Sequence, residues 1–108
     1  MDAFDLKGEI AVVTGALGKI GPVWVGTLLE AGANVLALDR AGAPPSAAFT
    51  ALSGRFGPER LTCAAADVCS RPELEAALAR CVERFGTPTI LVNNAGIDAP
   101  PAADGKGY

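Results

Sequence analysis

Four short runs, Ile10 to Val13, Val35 to Leu38, Leu61 to Ala66 and Ile90 to Val92, are apolar or nearly so throughout, and segments of helical period separate them. A strand with one wet face alternates apolar with polar residues. These runs do not alternate, so each strand is expected to be covered on both faces. Strands of that kind lie in parallel sheets, where consecutive strands need a crossover helix, and the element order β-α-β-α-β-α-β follows. The 108 residues suffice for one small core.

Each intervening segment carries a helix signal. The first helix is expected from Lys19 or Ile20 to Ala31, with Ile20, Val23, Trp24, Leu28 and Ala31 on its apolar face and Gly32 as its stop. Pro22 belongs in its first turn, where a missing N–H removes no helical bond. A second helix, from Ala43 to Phe56, rests on Phe49, Leu52 and Phe56 and is entered through Pro44 and Pro45. The third has the strongest signal: Ser70-Arg71-Pro72-Glu73 reads as a capping box, followed by Leu74, Ala77, Leu78, Cys81, Val82 and Phe85 along one stripe. Residues 98–108, rich in Pro, Gly and Ala without periodicity, are expected to form a loose tail.

The first apolar run delivers Thr14-Gly15-Ala16-Leu17-Gly18-Lys19-Ile20-Gly21, a glycine turn that opens a helix. Gly15, Gly18 and Gly21 supply a tight turn, a close backbone approach and close helix packing. The N–H groups of Gly18, Lys19 and Ile20, at the helix start, suit a diphosphate. Asp39 stands eighteen residues beyond Gly21 and closes the second run, where a carboxylate accepts hydrogen bonds from ribose hydroxyls. That carboxylate would oppose a 2′-phosphate, so NAD is expected in preference to NADP; Arg40, its neighbour, is the group through which a 2′-phosphate would be met. An ordinary solvated strand-end Asp, with or without an ion pair to Arg40, is the plain alternative.

Asp67-Val68 follows the third run and Asn93-Asn94-Ala95-Gly96 the fourth. Read without further context, Asp67 is a turn residue. The Asn pair supplies amide donors and acceptors beside two small residues, suited either to a flat ligand or to a tight turn.

Composition excludes several other chemistries. There is no His, which removes the commonest neutral-pH base and metal ligand. Cys63, Cys69 and Cys81 show neither a C-x-x-C spacing nor an even count, so reduced thiols, no metal site and a cytoplasmic setting are expected. A net charge of -3 with scattered Lys and Arg offers nothing to a nucleic acid, and no apolar run is long enough for a membrane span.

Leu6-Lys7-Gly8, Val12-Val13-Thr14-Gly15, Asp39, Asp67-Val68 and Asn93-Asn94-Ala95-Gly96, in this order, resemble the N-terminal cofactor half of the short-chain dehydrogenase/reductase family. The resemblance implies an α/β fold, a Rossmann-like parallel sheet of about four strands with crossover helices, truncated before the C-terminal half of the sheet. Residues 1–97 would be the NAD(P)-binding half-domain. It also implies that Gly15 to Gly21 meets the pyrophosphate, Asp39 the adenosine ribose, Asp67 and Val68 the adenine, and Asn94, Ala95 and Gly96 the nicotinamide-side ribose. Asn93 would support the sheet backbone.

Two departures qualify the match. Lys19 stands where the commonest family motif has its middle glycine, and Gly18 comes one position earlier, a spacing similar to the extended branch that acts on nucleotide sugars. The Asn-Asn-Ala-Gly tetrad is more similar to the shorter branch. Gly18 also occupies a place where NADP-preferring members often carry a basic residue. The family's catalytic Ser and Y-x-x-x-K have no counterpart here: Tyr108 is the single tyrosine and no Lys follows it. The expectation is therefore a dinucleotide-binding portion of an enzyme that moves hydride between nicotinamide and an alcohol or carbonyl substrate, with no catalytic residue of its own. A homo-oligomer or a complementing C-terminal segment is the expected partner. A nucleotide-binding module without catalysis and a fragment of a nucleotide-sugar epimerase or dehydratase are the alternatives.

Overall fold

A computed structural model describes residues 5–94. Ala95, Gly96 and the expected tail at 98–108 lie outside them. Four strands, β1 (Ile10–Thr14), β2 (Asn34–Asp39), β3 (Leu61–Ala65) and β4 (Ile90–Val92), alternate with three helices, α1 (Gly21–Glu30), α2 (Ala47–Phe56) and α3 (Arg71–Arg84). All pairings are parallel, in the order β3-β2-β1-β4. The chain thus winds outward from β1 to β3 and then crosses back to set β4 on the other side of β1. A parallel sheet collects its strand ends on one edge, and the crevice at such a reversal is where open α/β sheets take ligands.

The unbroken apolar runs have the expected cause. Ala11, Val13, Val35, Ala37 and Leu61 point to one face and pack with Val25, Leu29 and Phe49; Val12, Leu36, Leu38 and Ala64 point to the other and pack with Ala77 and Cys81. The sheet is therefore the middle of three layers, with α1 and α2 on one face and α3 on the other.

The helix boundaries are set by caps. Ser46 accepts the Phe49 N–H at 3.2 Å, so α2 starts at Ala47, four residues later than its apolar pattern suggested. Ser70 caps α3 by accepting the Glu73 N–H at 3.4 Å. Glu73 does not complete a box back to Ser70: its Oε1 accepts the N–H of Asp67, while the Ser70 N–H goes to Asp67 O. Helix α1 stops in a Schellman turn, with Ala33 N–H donating to Leu28 O and Gly32 N–H to Leu29 O, and Gly32 sits at φ +110 beyond its end.

Helix α1 also corrects the sequence reading. Its buried face is Gly21, Pro22, Val25, Leu28 and Leu29, whereas Ile20, Val23 and Trp24 are 63%, 65% and 46% exposed. The helix is apolar nearly all round, so periodicity alone does not choose a face. What chooses is Gly21, which must lie against the backbone of Gly15 and Ala16; residues four, seven and eight further on then face the sheet. Val82 of α3, assigned to the apolar stripe, is likewise 51% exposed, and the buried positions there are Ala77 and Cys81.

A stability measurement separates the two faces of α1. Val23→Lys is expected to change the unfolding free energy by less than about 0.5 kcal/mol, whereas Leu29→Ala should cost about 3 kcal/mol by leaving a cavity. Urea denaturation of both variants checks the order.

Candidate functional site

The carboxyl edge of the sheet gathers those residues singled out by the sequence that lie within the described stretch, from Gly15 to Asn94. Gly15 follows β1 at φ +63, a left-handed turn that a side chain would strain. The turn is anchored on several sides. Ala16 N–H donates to Leu38 O at 3.0 Å, Leu17 N–H donates to Asp39 Oδ2 at 3.1 Å, and Leu17 O accepts from Ser46 N–H at 3.0 Å. On the side of β4, Asn94 Nδ2 donates to Gly15 O at 3.1 Å.

The next amides are left open. Among the described residues, no acceptor takes the N–H groups of Gly18, Lys19, Ile20 or Gly21. The N-cap position of α1 is Ile20, which makes no side-chain cap, whereas Ser46 and Ser70 cap the other two helices. These amides carry the positive end of the helix dipole. Gly18 and Lys19 are exposed, and a Cβ built at Gly18 would find only Gly15 O, 3.9 Å away. The site fits a diphosphate: open donors, free space above the turn, and no side chain occupying it.

Asp39 ends β2 beside this turn, with Oδ1 accepting the Arg40 N–H at 2.8 Å and Oδ2 that of Leu17. No ion pair joins it to Arg40; the ion pairs among the described residues are Arg55–Glu30 and Arg71–Glu75. Asp39 and Arg40 line a cavity of about 250 Å³ together with Leu17, Cys63 and Arg80. Arg80 lies on α3, and nothing in the sequence pattern distinguished it from a solvated helix residue.

Asp67 follows β3, with Oδ1 accepting the Cys69 N–H at 2.9 Å in an Asx turn, which is its plain sequence reading; Val68 is half-buried beside it. Asn93 and Asn94 divide their work. The Thr14 hydroxyl lies 3.2 Å from Asn93 Oδ1 and 3.4 Å from Val92 O, so Asn93 ties the end of β1 to that of β4. Asn94 reaches the glycine turn instead.

Other chemistries find no support here. Burial raises the thiol pKa of both Cys63 and Cys81, the reverse of what an activated nucleophile needs. Among the described residues no cluster of His, Cys, Asp or Glu has the makings of a metal site, and no helix is long and apolar enough to cross a membrane.

The short chain dehydrogenase family model matches residues 9–106, nearly the whole chain. This chain belongs to the short-chain dehydrogenase/reductase family. It is 39% identical over 92 residues to 3beta-hydroxysteroid dehydrogenase 2 of Eggerthella lenta, covering 85% of this chain and 35% of that protein. It is 35% identical over 96 residues to 15-hydroxyprostaglandin dehydrogenase [NAD(+)] of Homo sapiens, covering 86% and 35%. Among solved structures, the N-domain of a bacterial malonyl-CoA reductase with NADP superposes with a TM-score of 0.78 at 40% identity, covering 90% of this chain and 18% of that one. The 3-ketoacyl-(acyl-carrier-protein) reductase of Brucella melitensis complexed with NADH gives 0.75 at 32%, covering 92% and 39%. The chain therefore spans about a third of the length of the curated relatives it matches. The four-stranded parallel sheet is the Rossmann-type arrangement of these solved structures, one of which holds NADH and the other NADP.

Proposed function

We propose that residues 1–97 are the NAD-binding half of a short-chain oxidoreductase that moves hydride between nicotinamide and an alcohol or carbonyl carbon. The observation that carries the reading is the uncapped start of α1, whose open N–H groups follow directly on Leu17, the residue bonded to the Asp39 carboxylate. Gly15, Gly18, Lys19, Ile20 and Gly21 would hold the pyrophosphate, Asp39 the adenosine ribose, Asp67 and Val68 the adenine, and Asn94, Ala95 and Gly96 the nicotinamide-side ribose. The dinucleotide, when bound, supplies or accepts the hydride; this chain's own residues bind and orient it.

Asp39 supports NAD over NADP because a 2′-phosphate would meet its negative charge. Arg40 and Arg80, which line the same cavity, are the features that favour NADP. The names of the relatives do not choose, since one specifies NAD(+) and one solved structure holds NADP. Calorimetric titration is expected to give NAD at least about tenfold tighter binding, a difference of roughly 1.4 kcal/mol. Tighter NADP would reverse the preference, and binding of neither would remove the dinucleotide reading.

The same reading assigns no catalytic residue to the 108-residue chain. It has no Y-x-x-x-K and no Ser beyond Ser70, so hydride transfer would depend on groups supplied elsewhere. A complementing C-terminal segment or a second copy is the partner we favour. Its support is the free side of β4, which pairs with β1 alone among the described strands, and the 68% exposure of Leu91, although its neighbour Val12 is buried. Unpaired thiols at Cys63, Cys69 and Cys81 support a cytoplasmic setting.

A further inference from the structure

We propose that Asp39 is a positioning residue for the glycine turn: its carboxylate fixes the Leu17 amide, and so the path of the turn, before any ligand arrives. The two carboxylate oxygens have separate tasks. Oδ1 accepts the Arg40 N–H at 2.8 Å, which holds the side chain against the end of its own strand, and Oδ2 accepts the Leu17 N–H at 3.1 Å, two residues into the turn.

The surroundings explain why this bond matters. Neighbouring bonds also hold the turn, Ala16 N–H to Leu38 O of β2 and Ser46 N–H, at the entry to α2, to Leu17 O, but only the Asp39 bond reaches the Leu17 amide. The next amide in sequence, that of Gly18, belongs to the open set at the start of α1. Without the carboxylate, Leu17 N–H would compete with those amides for the same anion or turn toward water, and the set would no longer be held in one orientation. Preorganised donors bind without the ordering cost that mobile donors incur.

One consequence is that Asp39 affects ligands that never touch it. A carboxylate that acted only as an acceptor for ribose hydroxyls would be indifferent to a ligand lacking them, whereas a carboxylate that shapes the turn would not. The choice of ligand rests on the dinucleotide reading above; the effect on the turn itself does not.

The test uses the 108-residue chain and two readouts. In the ligand-free protein, amide hydrogen exchange at Leu17, taken relative to Val12 in the core strand, should accelerate about tenfold in Asp39→Ala, matching the loss of one charge-assisted bond. Unchanged relative exchange would overturn the proposal. If Asp39→Ala loosens Val12 as well, the same ratio is read in Asp39→Leu, which keeps a branched side chain of similar shape but offers no acceptor; acceleration supports the latch and an unchanged ratio rejects it. In the second readout, ADP and 2′,3′-dideoxy-ADP are titrated by calorimetry. Asp39→Ala should weaken the dideoxy compound by about fivefold, the size of one net hydrogen bond. If only ADP is weakened, the carboxylate serves the ribose alone and the proposal fails. If neither compound binds the unsubstituted chain, the dinucleotide reading falls and Leu17 exchange alone decides the latch.

Discussion

Gly21→Ala is expected to remove dinucleotide binding and to destabilise the fold together. The added methyl would run into the carbonyl oxygen of Gly15 and would lie 2.6 Å from Ala16 Cα and 2.7 Å from Ala16 C. All three are backbone atoms, so no rotamer change relieves the clash. The turn has little freedom to recede, because Gly15 O is held by Asn94 Nδ2 and Ala16 N–H by Leu38 O. Either these bonds break or α1 moves off the sheet, an overpacking cost of about 2 to 3 kcal/mol. Loss of two oriented amide contacts to a ligand, each worth about 1.5 kcal/mol, would weaken binding by roughly 100-fold. Gly18→Ala is the contrasting variant. With its nearest neighbour 3.9 Å away, a methyl there meets nothing in the protein and should leave the melt unchanged. It should still weaken NAD, because it fills the space over the turn that the ligand needs. A thermal melt and a titration on each variant check both expectations; a Gly21→Ala protein that binds like the original would contradict the close-packed role given to that position.

The same glycine explains how much of the fold and site was legible in the sequence. Element order, parallel pairing and the edge that collects Gly15, Asp39, Asp67 and Asn94 follow from unbroken apolar runs and from the glycine turn, which are local signals. The rotation of α1 does not follow from hydropathy, since Val23 and Trp24 are as apolar as Val25 and Leu29. It follows from the Gly15 to Gly21 spacing, taken as a demand that residue 21 face the turn. Ser46 marks a readable start for α2 because Pro45 before it disfavours helix upstream; the apolar pattern of Phe49, Leu52 and Phe56 does not report that cap. The contacts of the polar site residues were less accessible. That Asp39 bonds the Leu17 amide and Asn94 the Gly15 carbonyl depends on which strands are neighbours, and strand order emerges only when the sheet is assembled. Arg60 was missed for the same reason, because its partners lie about thirty residues earlier in the chain.

Arg60→Ala is expected to cost about 3 kcal/mol, since hydrogen bonds from a charged donor are each worth about 1.5 to 3 kcal/mol and three of them share one side chain. Nε donates to Asn34 Oδ1 at 2.9 Å, and Nη2 donates to Leu29 O and to Ala33 O, both at 2.8 Å. Leu29 O belongs to the last turn of α1, where it also accepts the Gly32 N–H and where a cation complements the dipole. Asn34 opens β2, and the Val35 N–H in turn donates to Arg60 O at 2.8 Å. One side chain therefore joins the end of a helix to the starts of two strands, and the guanidinium carbon lies 5.5 Å from the Phe56 ring centroid. A lysine presents a compact ammonium in place of a planar fork and does not span the three acceptors, so Arg60→Lys should recover less than half of the loss. All of these contacts lie at the amino edge of the sheet, opposite the edge that carries the glycine turn. Urea denaturation should accordingly show a lower midpoint for Arg60→Ala, while NAD affinity measured where the variant remains folded should match the unsubstituted chain. A fall in affinity of the same size would mean that the two edges are coupled through α1, whose first turn is the proposed ligand site and whose last turn Arg60 holds.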